Sequence, residues 1–148
     1  MRILVTGGCG FIGSALVLHL VQDPGHEVLT LDALTYAANP ISLDPLKDDA
    51  RHRLEQADIC DPARVHALYA AFRPDAVMHL AAESHVDRSI TDPGAFVRTN
   101  VIGTQVMLDG ARTHWESLSD VAKANWPALC PGQPCGTSIS VSIALTPG

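Results

Sequence analysis

A glycine-rich turn near the N-terminus constrains the fold of this 148-residue chain more than any other segment. The apolar run from Arg2 to Thr6 leads directly into Gly7-Gly8-Cys9-Gly10-Phe11-Ile12-Gly13, and a second apolar run covers residues 11–22. A short apolar run that ends in glycines is typical of a buried strand, and a longer one is typical of a helix. The segment therefore predicts a β-strand, a tight turn and an α-helix in direct succession.

The spacing of these glycines indicates a phosphate-binding turn. It is GxxGxxG counted from Gly7 and GxGxxG counted from Gly8. Glycines allow a pyrophosphate to approach the backbone, and the N-terminus of the following helix offers unpaired N–H groups with a partial positive charge. We expect Phe11 and Ile12 to supply those N–H groups. Strand, glycine turn and helix in this order predict a dinucleotide site.

An acidic residue follows the second predicted strand at the distance that such a site requires. Glu27 to Leu31 form the strand, and Asp32 lies 19 residues beyond Gly13, close to the expected spacing of about 20. A carboxylate here would accept hydrogen bonds from both adenosine ribose hydroxyls and would repel a 2′-phosphate. The cofactor is therefore predicted to be NAD rather than NADP.

Strands and helices alternate through the rest of the first 125 residues. Residues 53–57 and Asp75 to Leu80 are predicted strands, and Asp61-Pro62 and Asp92-Pro93 each combine a capping side chain with a proline at the first helical position. Parallel strands joined by right-handed helical crossovers place helices on both faces of one sheet. We predict an α/β fold of Rossmann type that is truncated after the fourth strand and its following helix.

Two of the predicted helices carry apolar stripes. The helix that begins at Asp61 should bury one face, made of Val65, Leu68, Tyr69 and Phe72. The long helix that begins at Asp92 has apolar or small residues at alternating spacings of four and three, which predicts a buried stripe: Val97, Val101, Thr104, Leu108 and Ala111.

Further candidate ligand-binding residues follow the third and fourth strands, since open α/β sheets bind ligands at the carboxyl ends of their strands. Asp58 is placed to reach an adenine amino group, with Ile59 covering the ring. Ala81 and Ala82 are small enough to let the backbone pass close to a ligand. Ser84, with Arg88, either contacts a sugar or phosphate or is simply solvated.

Composition excludes several other classes. The chain has 16 acidic and 10 basic residues and a net charge of −6, whereas nucleic-acid binding needs a positive surface. Its four cysteines have neither zinc-ligand nor disulfide-framework spacing, so no metal site is expected. The chain has no apolar run of membrane-spanning length and no signal-peptide pattern. We expect a soluble, cytoplasmic protein.

The last charged residue is Lys123, and the final 25 positions contain none. We therefore divide the chain into an NAD-binding portion, residues 1–125, and an atypical Pro-, Gly- and Ser-containing tail, residues 126–148. Residues 139–143 alternate apolar and Ser residues, which is compatible with a short strand. A sheet that ended at the fourth strand would leave an open edge that can pair with other chains.

Several segments together resemble one family. The stretches ILVTGGCGFIGSALV, LDALTY, QADICD, HLAAESHVDRSI and TNVIGT are similar to the N-terminal half of the dTDP-glucose 4,6-dehydratase family, within the extended short-chain dehydrogenase/reductase superfamily. The resemblance covers residues 1 to about 125. HLAAESHVDRSI is its most specific part and favours the dehydratases over the related nucleotide-sugar 4-epimerases, which remain an alternative.

The resemblance implies a set of site residues. Phe11 and Ile12 would contact the pyrophosphate, residues 32–35 the adenosine ribose, residues 58–59 the adenine, and residues 80–84 the nicotinamide half, with Ser84 also facing the sugar. Ala33 and Ala38 replace the usual Lys and Gly of the family. The cofactor-binding set is Gly7, Gly10, Phe11, Ile12, Gly13, Asp32, Ala33, Leu34, Thr35, Asp58, Ile59, Leu80, Ala81, Ala82, Glu83, Ser84 and Thr99.

The resemblance also implies a reaction whose catalytic residues this chain does not contain. The family oxidises C4 of the glucose by hydride transfer to NAD, eliminates water across C5 and C6, and returns the hydride to C6. It uses a Tyr-x-x-x-Lys pair and a Thr-Asp-Glu set. Tyr36 and Tyr69 are followed four residues later by Pro40 and Arg73, so no catalytic residue is assigned.

We therefore expect an inactive fragment of a homodimeric enzyme, whose tail arose by truncation, frameshift or a misjudged gene end. A non-catalytic NAD-binding module is the other alternative.

Overall fold

The computed structural model describes residues 1–84, 92–124 and 142–143. The strands form one parallel sheet in the order β3-β2-β1-β4-β5. Their bounds are β1 Arg2–Thr6, β2 Glu27–Asp32, β3 His52–Gln56, β4 Ala76–His79 and β5 Ser142–Ile143. The α-helices are α1 Phe11–Gln22, α2 Pro62–Phe72, α3 Pro93–Val97, α4 Thr104–Glu116 and α5 Asp120–Ala124. A 3₁₀-helix covers Pro40–Leu46, and a π-helical segment covers Arg98–Gly103.

The predicted fold class is confirmed, because a parallel sheet carries helices on both faces in the Rossmann arrangement. Beyond the four predicted strands, the two residues of β5 pair with Met78 and His79 of β4. They lie in the 139–143 segment whose alternation allowed a strand. At these two positions β4 is therefore paired with β5. It would be an open edge strand there if the sheet ended at the fourth strand.

Each face of the sheet has its own apolar core. On one face, α2 and α4 cover a cluster that includes Leu4, Leu29 and Met107. On the other, α1 and the 3₁₀-helix cover a cluster that includes Val5, Val17 and Leu43. The predicted face of α2 is confirmed, since its four apolar residues are buried: Val65, Leu68, Tyr69 and Phe72.

The predicted stripe on the long helix is wrong except at Ala111, which is buried. Val97, Val101 and Leu108 are 53%, 56% and 40% exposed, and Thr104 is half-buried. The residues of α4 that are buried are Val106, Met107, Gly110, Ala111 and His114.

The π-helical segment Arg98–Gly103 lies within the predicted stripe. Its wider turns interrupt the α-helical repeat, so the four-and-three spacing does not keep residues on one face across it. Packing against α2 then sets the buried face of α4. The Tyr69 hydroxyl donates to the Met107 carbonyl at 3.2 Å, and a Cβ at Gly110 would lie 2.7 Å from the Tyr69 ring.

In the part of the chain that the structure describes, none of the helices is long and apolar enough to cross a membrane.

Candidate functional site

A cleft of about 180 Å³ opens at the carboxyl ends of β1, β2, β3 and β4, where the predicted binding residues converge. Its lining includes these members of the predicted cofactor-binding set: Gly7, Gly10, Asp32, Ala33, Thr35, Asp58, Ile59, Leu80, Ala81, Ala82, Glu83 and Thr99. Phe11, Ile12, Gly13, Leu34 and Ser84 do not line it. Leu31, Ala37, Ala38 and Ala57 line it without having been predicted. Leu31 and Ala57 lie at strand ends and Ala37 and Ala38 lie in the segment after β2, but none of the four has a polar group that would single it out.

The glycine turn forms the cleft wall beside β1, and two of its positions accept only glycine. Gly7 has a φ of +69°, and a Cβ there would lie 2.7 Å from the Ala81 nitrogen. A Cβ at Gly13 would overlap the carbonyl oxygen of Gly7. The chain therefore turns directly from β1 into α1, and the N-terminus of that helix faces the cleft.

The first residues of α1 offer their backbone, not their side chains. Gly10 is the N-cap, and no side chain in the described part of the chain caps the helix. Phe11 is 95% exposed and Ile12 is 39% exposed. The first N–H groups of a helix have no partner within it and carry its partial positive charge. This end of α1 is suited to binding an anionic group.

Asp32 lies at the end of β2, is only 8% exposed and is fixed by the backbone on both sides. One carboxylate oxygen accepts the Cys9 N–H and the other accepts the Leu34 N–H, each at 2.8 Å. A carboxylate oxygen can accept more than one hydrogen bond, so Asp32 keeps capacity for two hydroxyls. Leu34 therefore contributes through its backbone N–H, which positions the Asp32 carboxylate. The residue does not line the cleft.

Cys9 belongs to the same arrangement and is chemically inert. Burial, and then the charge of Asp32, raise the pKa of its thiol to about 11. A protonated buried thiol is a small apolar side chain. The N–H that Cys9 gives to Asp32 ties the glycine turn to the end of β2.

Asp58, Ile59 and Thr99 form the wall beside β3. Ile59 is buried, and a Cβ at Gly103 would lie 2.5 Å from its Cδ1 atom. Asp58 is exposed. Its carboxylate accepts the Cys60 N–H at 2.8 Å and lies 3.6 Å from the Arg98 guanidinium.

A buried hydrogen-bonded chain that no sequence motif indicates supports the cleft floor. The Thr6 hydroxyl accepts the N–H groups of Leu80 and Ala81, both at 3.1 Å. Its own hydrogen is left to donate to Nδ1 of His79, 2.6 Å away. We therefore assign the proton of His79 to Nε2, which lies 3.2 Å from Oγ1 of Thr104. Burial lowers the pKa of His79, which favours this neutral form.

Asn100 fixes the segment that follows β4. Its side-chain amide accepts the Glu83 N–H at 2.8 Å and donates to the Glu83 carbonyl at 2.9 Å. The Thr104 hydroxyl donates to the Asn100 carbonyl at 2.8 Å. Ser84, the predicted substrate contact, is exposed at the end of this segment. Arg88, the other candidate contact to a sugar or phosphate, lies outside the described residues.

A glycine turn at a helix N-terminus, a carboxylate at the end of the next strand and a cleft between them define a Rossmann-type nucleotide-binding unit. Residues 4–124 match the family model for GDP-mannose 4,6 dehydratase. The chain therefore belongs to this dehydratase family.

Curated relatives agree with the predicted resemblance, which is confirmed. The dTDP-glucose 4,6-dehydratase of Shigella flexneri is 52% identical over 126 residues, which are 85% of this chain and 35% of that protein. A probable dTDP-glucose 4,6-dehydratase of Sinorhizobium fredii is 56% identical over 129 residues, covering 87% of this chain and 37% of its own. The chain thus spans about a third of the length of the curated relatives that it matches.

Solved structures place the fold among the same enzymes. The dTDP-glucose 4,6-dehydratase of Streptomyces venezuelae, solved with NAD and TYD bound, gives a TM-score of 0.71 at 46% identity and covers 77% of this chain and 36% of its own. A UDP-glucose 4-epimerase of Thermotoga maritima gives 0.69 at 32% identity and covers 77% and 35%. The higher identity lies with the dehydratase.

Proposed function

We propose that this chain is the NAD-binding portion of a dTDP-glucose 4,6-dehydratase. The observation that carries the proposal is the placement of Asp32, a buried carboxylate fixed by two backbone N–H groups, at the end of β2 and beside the glycine turn. A carboxylate in this place accepts ribose hydroxyls and repels a 2′-phosphate.

The cleft is suited to a dinucleotide on three independent counts. Gly7 and Gly13 permit the tight turn that brings the start of α1 to the cleft, where a pyrophosphate would lie. The uncapped start of α1 supplies N–H groups and positive potential. Ile59 and the alanines at positions 57, 81 and 82 give apolar surface for the rings. When bound, NAD would accept and return a hydride.

The residues proposed to hold NAD fall into groups by the part of the cofactor they serve. The backbones of Gly10, Phe11 and Ile12 would bind the pyrophosphate, and Asp32 to Thr35 the ribose. Asp58 and Ile59 would contact the adenine, and Leu80 to Ser84 the nicotinamide half. Thr99 would also hold the cofactor. We further propose that Ser84 contacts the sugar of a dTDP-glucose substrate, which is the reactant named for the relatives.

The 148 residues do not supply the general base of the proposed reaction. The Tyr69 hydroxyl is buried, donates to the Met107 carbonyl, and has a pKa raised by burial. The Tyr36 hydroxyl donates to Glu83, and no lysine follows either tyrosine at the required spacing. Without a lysine charge to lower its pKa, a tyrosine stays protonated near neutral pH. We propose that this chain by itself does not turn over dTDP-glucose.

Self-association is also part of the proposal. Val97, Val101 and Leu108 leave apolar surface exposed along α3, the π-helical segment and α4, and such surface favours contact with another chain. Sedimentation should show a dimer or larger species. A monomer at micromolar concentration would contradict this part of the proposal.

Titration calorimetry with NAD and with NADP tests the binding function. We expect NAD to bind and NADP to bind more weakly, because Asp32 would repel the 2′-phosphate. If neither NAD nor NADP binds, the proposal is contradicted.

A separate assay tests the proposed lack of activity. It should detect no 4-keto-6-deoxy product, and measurable turnover would contradict the proposal that the chain lacks the general base.

A further inference from the structure

We propose that Tyr36 and Glu83 form a clasp that retains the bound dinucleotide; this inference rests on the proposed NAD-binding function. The Tyr36 hydroxyl donates to Oε2 of Glu83 at 3.0 Å. Tyr36 lies in the segment after β2, and Glu83 lies in the segment after β4. In the sheet these two strands are separated by β1. The hydrogen bond therefore links the two sides of the cleft past the glycine turn that follows β1.

The link lies on the open side of the cleft. Tyr36 is 50% exposed, and its hydrogen bond to Glu83 is exposed, whereas Leu31 and Asp32 of the lining are buried. Thr35 and Ala37, on either side of Tyr36, line one wall, and Ala82 and Glu83 line the opposite wall. A dinucleotide in the cleft would thus lie between the floor and this link.

Both ends of the link are anchored, so that it holds a defined span. The backbone of Glu83 is paired on both sides with the amide of Asn100. The segment after β2 is tied down at Leu34, whose N–H donates to Asp32, and at Asn39, whose N–H donates to the Cys9 carbonyl at 2.7 Å. The Tyr36–Glu83 hydrogen bond is itself exposed and joins the half-exposed Tyr36 to the half-buried Glu83 across the gap, so it can break without disturbing either core.

Retention suits the proposed chemistry. The proposed reaction removes a hydride from C4 of the sugar and returns it to C6 of the same molecule, so NAD ends each cycle in its starting form. Because the cofactor is regenerated in place, turnover does not require it to dissociate. A clasp that slows its exit would keep the site loaded at low free NAD.

The test is the rate at which the 148-residue chain releases NADH, followed by the loss of NADH fluorescence in stopped flow after mixing with excess NAD. Tyr36→Phe removes the hydroxyl, and Glu83→Ala removes its acceptor. Each should release NADH about three- to ten-fold faster, the effect of losing one hydrogen bond of ordinary net strength. The double variant should release it no faster than either single variant, because both changes break the same link.

The chain offers a matched control in its only other tyrosine. Tyr69→Phe removes a hydroxyl that bonds to Met107 in the core, and it should leave the release rate unchanged. Circular dichroism melts should show that Tyr36→Phe keeps the wild-type midpoint, since its ring is half exposed; if it unfolds, Glu83→Ala decides the question.

The two proposals fail in different ways. A wild-type chain that binds no NADH would overturn the NAD-binding function and the clasp with it. A wild-type chain that binds NADH, with variants that release it at the wild-type rate, would overturn the clasp alone. Additive effects in the double variant would also overturn it, because the two side chains would then act separately.

Discussion

The Nδ1 atom of His79, at the end of β4, lies 2.6 Å from the Oγ1 atom of Thr6, at the end of β1. Both side chains are fully buried. The Thr6 hydroxyl also accepts the N–H groups of Leu80 and Ala81, where the chain leaves the sheet for the cleft. One hydroxyl therefore holds both the imidazole and the backbone that forms the cleft floor.

Replacing that hydroxyl should destabilise the fold. Thr6→Val keeps the shape of the side chain but removes a buried partner of His79 and of the Ala81 N–H. We expect the free energy of unfolding to fall by about 1–3 kcal/mol, the cost of leaving a buried polar group unpaired. Urea denaturation measures it. Thr6→Ser, which keeps the hydroxyl, should lose less, and equal losses in both variants would contradict the assigned role.

The buried histidines predict a loss of stability in acid. Burial lowers the pKa of His79 and His114 below the ordinary value of 6.5. Below pH 6.5 the unfolded chain then binds more protons than the folded one, so the free energy of unfolding falls as the pH is lowered. Each group adds a slope of at most about 1.4 kcal/mol per pH unit.

Urea midpoints measured between pH 7.5 and 5 should show this fall. His114→Gln should reduce the slope, because glutamine does not take up a proton in this pH range. Its amide can still donate to the Pro74 carbonyl, which His114 contacts at 3.1 Å, so the hydrogen bond is kept. A slope unchanged by the substitution would show that His114 does not contribute.

Gly13 should tolerate no side chain. The Cβ of Gly13→Ala would overlap the Gly7 carbonyl oxygen, so α1 would have to move away from β1. We expect a loss of about 1–3 kcal/mol, as for overpacked cores, together with loss of NAD binding. Thermal melts and calorimetry measure the two effects.

Gly94→Ala is the matched control for that substitution. A Cβ at Gly94, in the first turn of α3, would lie 3.5 Å from the Asp92 carboxylate, an ordinary contact. This variant should keep wild-type stability or gain slightly, because alanine favours a helix. Equal damage in the two variants would refute the steric argument.

Asp32→Asn should narrow the preference for NAD over NADP. The substitution removes the charge that repels a 2′-phosphate, but it also leaves only one oxygen for the two N–H groups of Cys9 and Leu34. Overall affinity should therefore fall, and the informative quantity is the ratio of the two dissociation constants.

Asp61→Asn provides the comparison for that ratio. Asp61 caps α2 by accepting the Arg64 N–H at 3.1 Å and does not line the cleft. This variant removes the same charge and should keep the wild-type ratio. A ratio that changes equally in both variants would indicate a general charge effect.

Much of the fold followed from local patterns. The strand that leads into the glycine turn, the caps at Asp61 and Asp92, and the apolar face of α2 lie where the sequence predicts them. Each depends on residues that are near one another in the chain, so periodicity and turn chemistry are enough. The position of Asp32 was predictable for the same reason, since the fold fixes the length of the first strand–helix–strand unit.

The same local rules failed on the long helix. The spacing of Val97, Val101 and Leu108 is helical, yet all three are exposed. Contact with Tyr69 selects the buried face of α4, and a π-helical segment precedes that helix. A sequence pattern shows that a face is apolar. It does not show which neighbouring element will cover that face.

The contacts that shape the candidate site were decided by tertiary structure. Thr6 and His79 are 73 residues apart, and Tyr36 and Glu83 are 47 apart. They meet only because the strand order places β1 between β2 and β4, with the carboxyl ends of all three at one edge of the sheet. Local sequence patterns indicated which residues are candidates for a dinucleotide site. The assembly of these residues into one cleft depends on pairing between strands that are far apart in the sequence. No local pattern encodes that pairing.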